Sequence, residues 1–378
     1  MLDGIKIYFQ ISDFMAWKKA VGINLYTATD LETGQIRGKT RTINNTIQHT
    51  VCYKGKFQTY QLTIKETTKS QVNGTKSTSY FLIIDGSLHK NYYDGSNYQP
   101  FTWNYLQMEI LKLETALGLS KFAEIKNLEI GVNLVLPFPA FTFLKSNLIS
   151  YKGNQFNKYN PDKTGTSLGY VCPLSQYSVK VYDKGLQFSI AENLMRFELR
   201  YLKMQALKET GIKKISDLLD YNKVNGLMTL LIMAWDNTLL YDNTIDLKNP
   251  KIKKWDLELL KDGRRPGYWE HLKETNIRRY NYQRVKFRVL VEKFGQGWHK
   301  KIAEMIKVEW AKLLKNCTNL PSVQLPEMFN LTVKVNGKNG QMDRLKKEGL
   351  RVLWLGANRS IHVDQGLNQG NLLLGGLH

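Results

Sequence analysis

The sequence predicts an α+β fold: a largely antiparallel sheet with packed helices, followed by a basic, mainly α-helical C-terminal region. Three observations carry this. Strand-like alternation recurs through the first 205 residues without a regular βαβ rhythm, one long amphipathic helix interrupts it near residue 102, and the texture turns helical after residue 205. The expected parts are 1–205, 206–320 and a weakly ordered tail, 321–378, rich in Gly and Asn after Pro321 and Pro326.

The first strand sets Ile5, Ile7, Phe9 and Ile11 against Lys6, Tyr8 and Gln10. β-rich segments continue through "HTVCYKGKFQTYQLTIKE" to "SYFLIIDGS". In "FTWNYLQMEILKLETALGL", Thr102 caps a helix, Leu106, Ile110, Leu113 and Leu117 form its stripe, and Gly118 stops it. The strand "NLEIGVNLVLP" (127–137) follows, then a polar Gly/Asn-rich loop, "YKGNQFNKYNPDKTGTSLG". Two further strands are "YSVKVYDKG" and "NLMRFELRYLK". Beyond 205, "KKISDLLDYNKVNGLMTLLIMAW" and "NIRRYNYQRVKFRVLVEKFGQGWHKKIAEMIKVEWAKLL" have helical period. In the latter, Ile277, Tyr280, Phe287, Val291 and Phe294 are expected to share a face, with Arg278, Arg279, Lys286 and Lys293 roughly opposite.

The net charge of +21 points to a polyanionic partner, because each neutralised phosphate releases counterions. The excess is strongest in 251–300, with 14 Lys/Arg against 6 Asp/Glu, although a charge run is more often a solvated face. The 20 Tyr, 15 Phe and 8 Trp offer stacking surfaces for bases, or simply an aromatic core. Cys52, Cys172 and Cys317 show neither disulfide nor zinc spacing, which fits a reducing compartment. No signal pattern opens the chain, and "LMTLLIMAW" is too short to span a bilayer, so a soluble intracellular protein without membrane contact is expected.

Three strands carry polar faces that belong together chemically. One presents Glu129, Gly131 and Asn133; another Ser178, Lys180, Tyr182 and Lys184; the third Arg196, Glu198 and Arg200. Two carboxylates suit Mg²⁺ or Mn²⁺, which take oxygen ligands and polarise a phosphate oxygen. A tyrosine with an ordinary pKa near ~10 needs a neighbouring cation to attack at neutral pH. The bland alternative is a solvent-facing sheet decorated with Glu–Lys and Glu–Arg pairs.

The order of "FLIIDGSLHKNYYDGSNY", the helix, "NLEIGVNLVLP", "YSVKVYDKG" and "LMRFELRYLKMQALKETGIKKISDLLD" resembles the replication initiators of filamentous phages, the gene II/gene X type, in the branch found in phages and plasmids of Bacteroidota. The resemblance covers about residues 80–220 and implies a rolling-circle DNA endonuclease over 1–205, with a basic DNA-binding region over 206–320. It implies that Tyr182 attacks the plus-strand origin, giving a 5′-phosphotyrosine and a 3′-OH primer, and later rejoins the strand. Lys184 is the motif's lysine, and Lys180 assists. Glu198, from "RFE", and Glu129 are implied metal ligands for Mg²⁺ or Mn²⁺. Lys90, Asn97, Arg196, Arg278, Arg279, Lys286 and Lys293 are the expected DNA contacts. Implied partners are single- and double-stranded origin DNA with host helicase and polymerase, in the cytoplasm of a bacterial host.

There are departures. Where the family has Gly-His-Asn, this chain has Gly95-Ser96-Asn97, so His89 is either a substitute ligand or a polar loop residue. The family's aspartate on the 127–137 strand is replaced by Gly131, with Glu129 two residues away. Tyr177 and Lys180 also fit a Tyr-x-x-Lys pattern, which needs a helix to bring the two together. A non-catalytic origin- or RNA-binding regulator and a basic packaging protein are the remaining alternatives.

Overall fold

A computed structural model describes residues 2–29, 35–44, 46–160 and 167–315; the expected tail over 321–378 and Cys317 lie outside the described residues. The strands are β1 (Leu2–Ile11), β2 (Tyr26–Thr27), β3 (Gly38–Ile43), β4 (Thr46–Phe57), β5 (Tyr60–Ser70), β6 (Lys76–Ser87), β7 (Glu124–Val135), β8 (Leu148–Tyr151), β9 (Asn154–Gln155), β10 (Asn157–Tyr159), β11 (Gly169–Pro173), β12 (Tyr177–Asp183), β13 (Leu194–Tyr201) and β14 (Thr238–Leu240). The α-helices are α1 (Phe14–Val21), α2 (Leu88–Tyr92), α3 (Trp103–Leu117), α4 (Ala140–Asn147), α5 (Lys184–Phe188), α6 (Tyr221–Asn237), α7 (Lys254–Gly263), α8 (Pro266–Thr275), α9 (Ile277–Phe294) and α10 (Trp298–Leu314).

Eleven strands form one sheet in the order β10-β11-β12-β13-β7-β1-β6-β5-β4-β2, with β3 also pairing β4, and every pairing is antiparallel. The α+β class read from the sequence is the one observed. Alternation explains why the sheet has two unlike faces. Ile5, Ile7, Phe9, Ile130, Val132, Val181, Phe197 and Leu199 are all buried, in one core with Leu106, Ile110, Leu113 and Leu117 of α3. Thr102 Oγ1 accepts from the Tyr105 amide and Gly118 ends the helix at φ +63°, a left-handed conformation that glycine adopts without strain.

Leu227, Leu231 and Trp235 of α6 and Ile302, Ile306 and Trp310 of α10 belong to that same core, so the expected boundary near residue 205 runs through it. A smaller apolar cluster joins α7, α8 and α9 around Trp269 and Phe287. Some local readings change. The 213–235 stretch is a 3-10 turn (Ile215–Leu219) and then α6, because Asp220 caps a fresh helix by accepting from the Asn222 and Lys223 amides. The 276–314 stretch breaks at Gly295–Gly297 into α9 and α10. Ile277 leaves the expected apolar face and is 54% exposed. Part of the expected loop forms β9 and β10. Among the described residues no helix is long and apolar enough to cross a membrane.

Candidate active site

The polar faces of β7, β13 and β12 meet because their register aligns them. Gly131 lies opposite Glu198, which lies opposite Lys180; one row along, Asn133, Arg196 and Tyr182 align in the same way. Glycine at 131 is required here, since a Cβ would stand 2.7 Å from Glu198 Cβ. The missing side chain leaves room for Glu198, and Glu129 supplies the neighbouring carboxylate from two residues back.

Asp3 completes the cluster. Carboxylate oxygens of Asp3, Glu129 and Glu198 lie within 4.8 Å of one another. The β1–β7 register shifts between Leu2 and Ile5, so both keep apolar positions and the intervening residues turn to the polar face. Gly4 permits this, because a Cβ there would sit 2.5 Å from Glu129 Oε2. Residue counting alone puts Asp3 in phase with Ile5 and Ile7, which is why alternation misses it. The readable signal is a glycine inside a strand, a mark of bulges and close approaches.

Cations neutralise most of this charge. Arg196 donates from Nε to Glu198 Oε2 (2.6 Å), from Nη2 to Asp3 Oδ2 (2.8 Å) and from Nη1 to Asn133 Oδ1 (3.0 Å). Lys180 Nζ reaches Glu198 Oε1 at 2.6 Å and Glu129 Oε1 at 3.0 Å. Burial alone would raise the Glu198 carboxyl, but Lys180 and Arg196 outweigh it and hold it at about 2. Asp3 is likewise lowered against the pull of burial, chiefly by Arg196. Glu129 goes the other way, raised by burial and by the charge of Glu198 despite Lys180.

Tyr182 is only 3% exposed. Its hydroxyl donates to Glu198 Oε2 at 3.3 Å and accepts from Lys184 Nζ at 3.4 Å. Burial and the Glu198 charge raise the phenol well above its ordinary pKa. Lys184 also donates to Asn97 Oδ1 (2.6 Å) and Gln187 Oε1 (2.8 Å). Burial, then Arg196, push its ammonium down to about 7. Tyr159, which sequence reasoning did not single out, packs its ring 4.9 Å from that of Tyr182. A cavity of about 350 Å³ opens over these groups, and Lys90 lines its rim.

Several expected residues sit elsewhere or do something else. Arg196 (1% exposed) and Asn97 (3%), expected as DNA contacts, are buried, although Asn97 also lines the cavity. Both donate to Asp3, Asn97 from Nδ2 at 2.5 Å, and Asn97 Oδ1 also accepts from Lys184, so they position the carboxylate and the ammonium. His89 is outside the three-carboxylate cluster. It stacks on Phe101 at 4.9 Å, neither ring nitrogen has a hydrogen-bond partner, and burial lowers its pKa to about 2. Tyr177 points to the opposite face from Lys180 and bonds the Tyr151 hydroxyl at 2.9 Å, because β12 is a strand and no helix joins the Tyr-x-x-Lys pair. Arg278, Arg279 and Lys293 are exposed on α9, while Lys286 pairs with Asp256 at 2.6 Å.

No protein-family model matches the chain, and no curated protein matches it. Among solved structures, the chain is similar to the rolling circle replication initiator protein from Geobacillus stearothermophilus at 14% identity. That likeness covers 70% of this chain and 96% of the other, with a TM-score of 0.31. At that score it carries no weight for fold or chemistry; the side chains do.

Proposed function

We propose that this chain is a metal-dependent, site-specific DNA nickase and strand transferase that initiates rolling-circle replication. The observation that carries the reading is the Tyr182 hydroxyl held between Glu198 and Lys184, beside a cluster of three carboxylates. The donor set is all carboxylate oxygen, which fits a hard divalent cation. Asp3, Glu129 and Glu198 would hold Mg²⁺ or Mn²⁺, which when bound supplies Lewis-acid polarisation of a phosphate oxygen.

The chain's own groups handle the proton and the nucleophile. Glu198, at about 2, is a poor base, whereas Lys184, pushed down to about 7, sheds readily the proton it donates to Tyr182 Oη, and its neutral amine then accepts the phenolic proton once the hydroxyl turns from Glu198 to Nζ. Tyr182 Oη then bonds to phosphorus as the bond to the 3′ oxygen breaks. The 5′ phosphate remains on the tyrosine, and the departing 3′ oxygen takes up a proton. Rejoining is the reverse, with the 3′-OH as nucleophile. Lys90 at the rim and Arg278, Arg279, Lys286 and Lys293 on α9 contact the DNA backbone. The protein works on this reading in the cytoplasm of a bacterial host, with its helicase and polymerase.

A second reading has its own observation. Arg196, Lys180, Asn97, Ser87 and Tyr182 already engage both oxygens of Asp3 and of Glu198, as an ion-pair network standing in for a metal would. That favours a non-catalytic origin- or RNA-binding regulator. Supercoiled DNA carrying the gene with its flanking sequence, incubated with Mg²⁺ or Mn²⁺, separates the two. The nickase gives relaxed circles and a denaturant-resistant protein–DNA adduct, both lost in Tyr182→Phe. An inactive parent that still binds this DNA supports the regulator.

A further inference from the structure

Among the described residues, the face of the sheet that bears Tyr182 continues beyond the cavity with half-buried and exposed side chains. One row of paired residues, Asn127, Lys6, Asp85, Gln61 and Lys56, crosses β7, β1, β6, β5 and β4. From Lys56 the same face runs outward along β4 and β5 into an arm that ends with β3. On it stand Lys39, Arg41, Lys54, Lys56, Lys65 and Lys69, fixed there by the pairs Lys39↔Thr50, Arg41↔Gln48, Gln48↔Lys69 and Cys52↔Lys65. None of the six forms an ion pair among the described residues. Glu66, the one acid between residues 35 and 80, is on the other face, where it accepts from Tyr53. That other face is partly covered by α1, whose Phe14 stacks on Tyr80 at 4.8 Å and on Tyr53 at 5.9 Å.

Six cations stand on one side of the arm, and the one acid of that stretch is on the reverse. Between them and the cavity lies a stacked, half-buried aromatic pair, Tyr8 and Phe81, with ring centroids 4.9 Å apart. Cations that follow a backbone, joined to aromatic faces that take unpaired bases, are the combination that binds single strands. From β7 to β3 the surface spans about 24 Å at the usual interstrand spacing of ~4.8 Å.

We infer that the open basic face of the β3–β6 arm, with Tyr8 and Phe81, is a binding track for single-stranded DNA leading to the Tyr182 cavity. This deepens the nickase reading and rests on it for the direction of the strand, but its test measures binding alone.

The test is fluorescence anisotropy of the full chain with a labelled dT20 oligonucleotide across a salt series. A 20-base-pair duplex and rU20 serve as parallel probes. The variant Lys54→Ala/Lys56→Ala/Lys65→Ala/Lys69→Ala should weaken dT20 binding at least tenfold and reduce the log–log salt slope by about 3, at ~0.7 per lost phosphate contact. Four Lys→Arg changes at the same positions should keep both, and matched melting curves guard against misfolding. Lys76→Ala, on the opposite face, should stay within twofold of the parent. Tyr8→Ala should weaken binding about tenfold with the slope unchanged, since stacking releases no counterions.

A folded four-alanine variant that binds dT20 with the parent's affinity and slope overturns the track. So does one that loses only the duplex, or only rU20. The dT20 assay, run without Mg²⁺ or Mn²⁺, reads binding alone, and the adduct assay reads chemistry. Absence of the covalent adduct with the track effect intact therefore removes the nickase reading alone, and the converse result removes only the track.

Discussion

Lys180 Nζ sits 2.6 Å from Glu198 Oε1, directly across the β12–β13 ladder. The same ammonium reaches Glu129, so it ties two carboxylates from adjacent strands at a site where its own side chain is 11% exposed. Removing it leaves buried negative charge uncompensated. Lys180→Met should lower unfolding stability by about 3 kcal/mol, the scale seen when one partner of a buried pair is lost. Urea melts at pH 7 measure it; a change below 1 kcal/mol would show that the pair contributes little.

Lys184 gives a pH signature. With its ammonium pushed down to about 7 in the fold and near its ordinary value of 10.5 when unfolded, the unfolded chain binds more protons between those two values. Stability from this group therefore rises with pH across that interval. Lys184→Met should flatten the rise in urea midpoint between pH 7 and pH 10. In the nicking assay, adduct formation should climb through pH 7 as the amine becomes neutral, and Lys184→Arg should abolish that climb.

Glu109 provides the opposite sign, away from the site. It accepts from the Tyr60 hydroxyl (2.9 Å) and the Asn91 amide (2.7 Å), and burial raises its pKa despite Lys112. An acid raised in the fold favours the protonated form, so stability falls as pH increases from the ordinary value of 4.5 through the raised one. Glu109→Gln keeps a carbonyl acceptor and removes the charge. It should be more resistant to urea than the parent at pH 7, with the advantage gone at pH 4.

Gly131→Ala should overpack the ladder. The new methyl would meet Glu198 Cβ and the Phe197 carbonyl oxygen, each 2.7 Å away. Overpacking of this kind costs about 1–3 kcal/mol. The displaced Glu198 should also depress nicking by more than the stability loss explains, measured at a temperature where both proteins are fully folded.

The two unlike sheet faces were legible because period-2 alternation is unambiguous over "NLEIGVNLVLP" and "NLMRFELRYLK". Thr102 and Gly118 bounded α3 because cap chemistry is local. Register was not legible, since which residue of β12 faces Glu198 depends on pairing between distant segments. Asp3 was hidden by a bulge that reverses its phase. Residue type does not report burial: Arg196 and Asn97, expected as DNA contacts, each turn a donor inward to Asp3. His89 shows the reverse error of type, a polar residue stacked inside an aromatic group.

Strand β3 closes the outer flank of β4, and all six of its residues are exposed. A bare rim of unsatisfied amides and carbonyls invites another chain to zip on, and protruding charge is a common safeguard against that. Lys39 and Arg41 place positive charge on that flank, the kind of protection an outer strand calls for whether or not nucleic acid binds. Stripping them to probe binding would confuse clumping with lost affinity, whereas changes confined to β4 and β5 leave that guard in place.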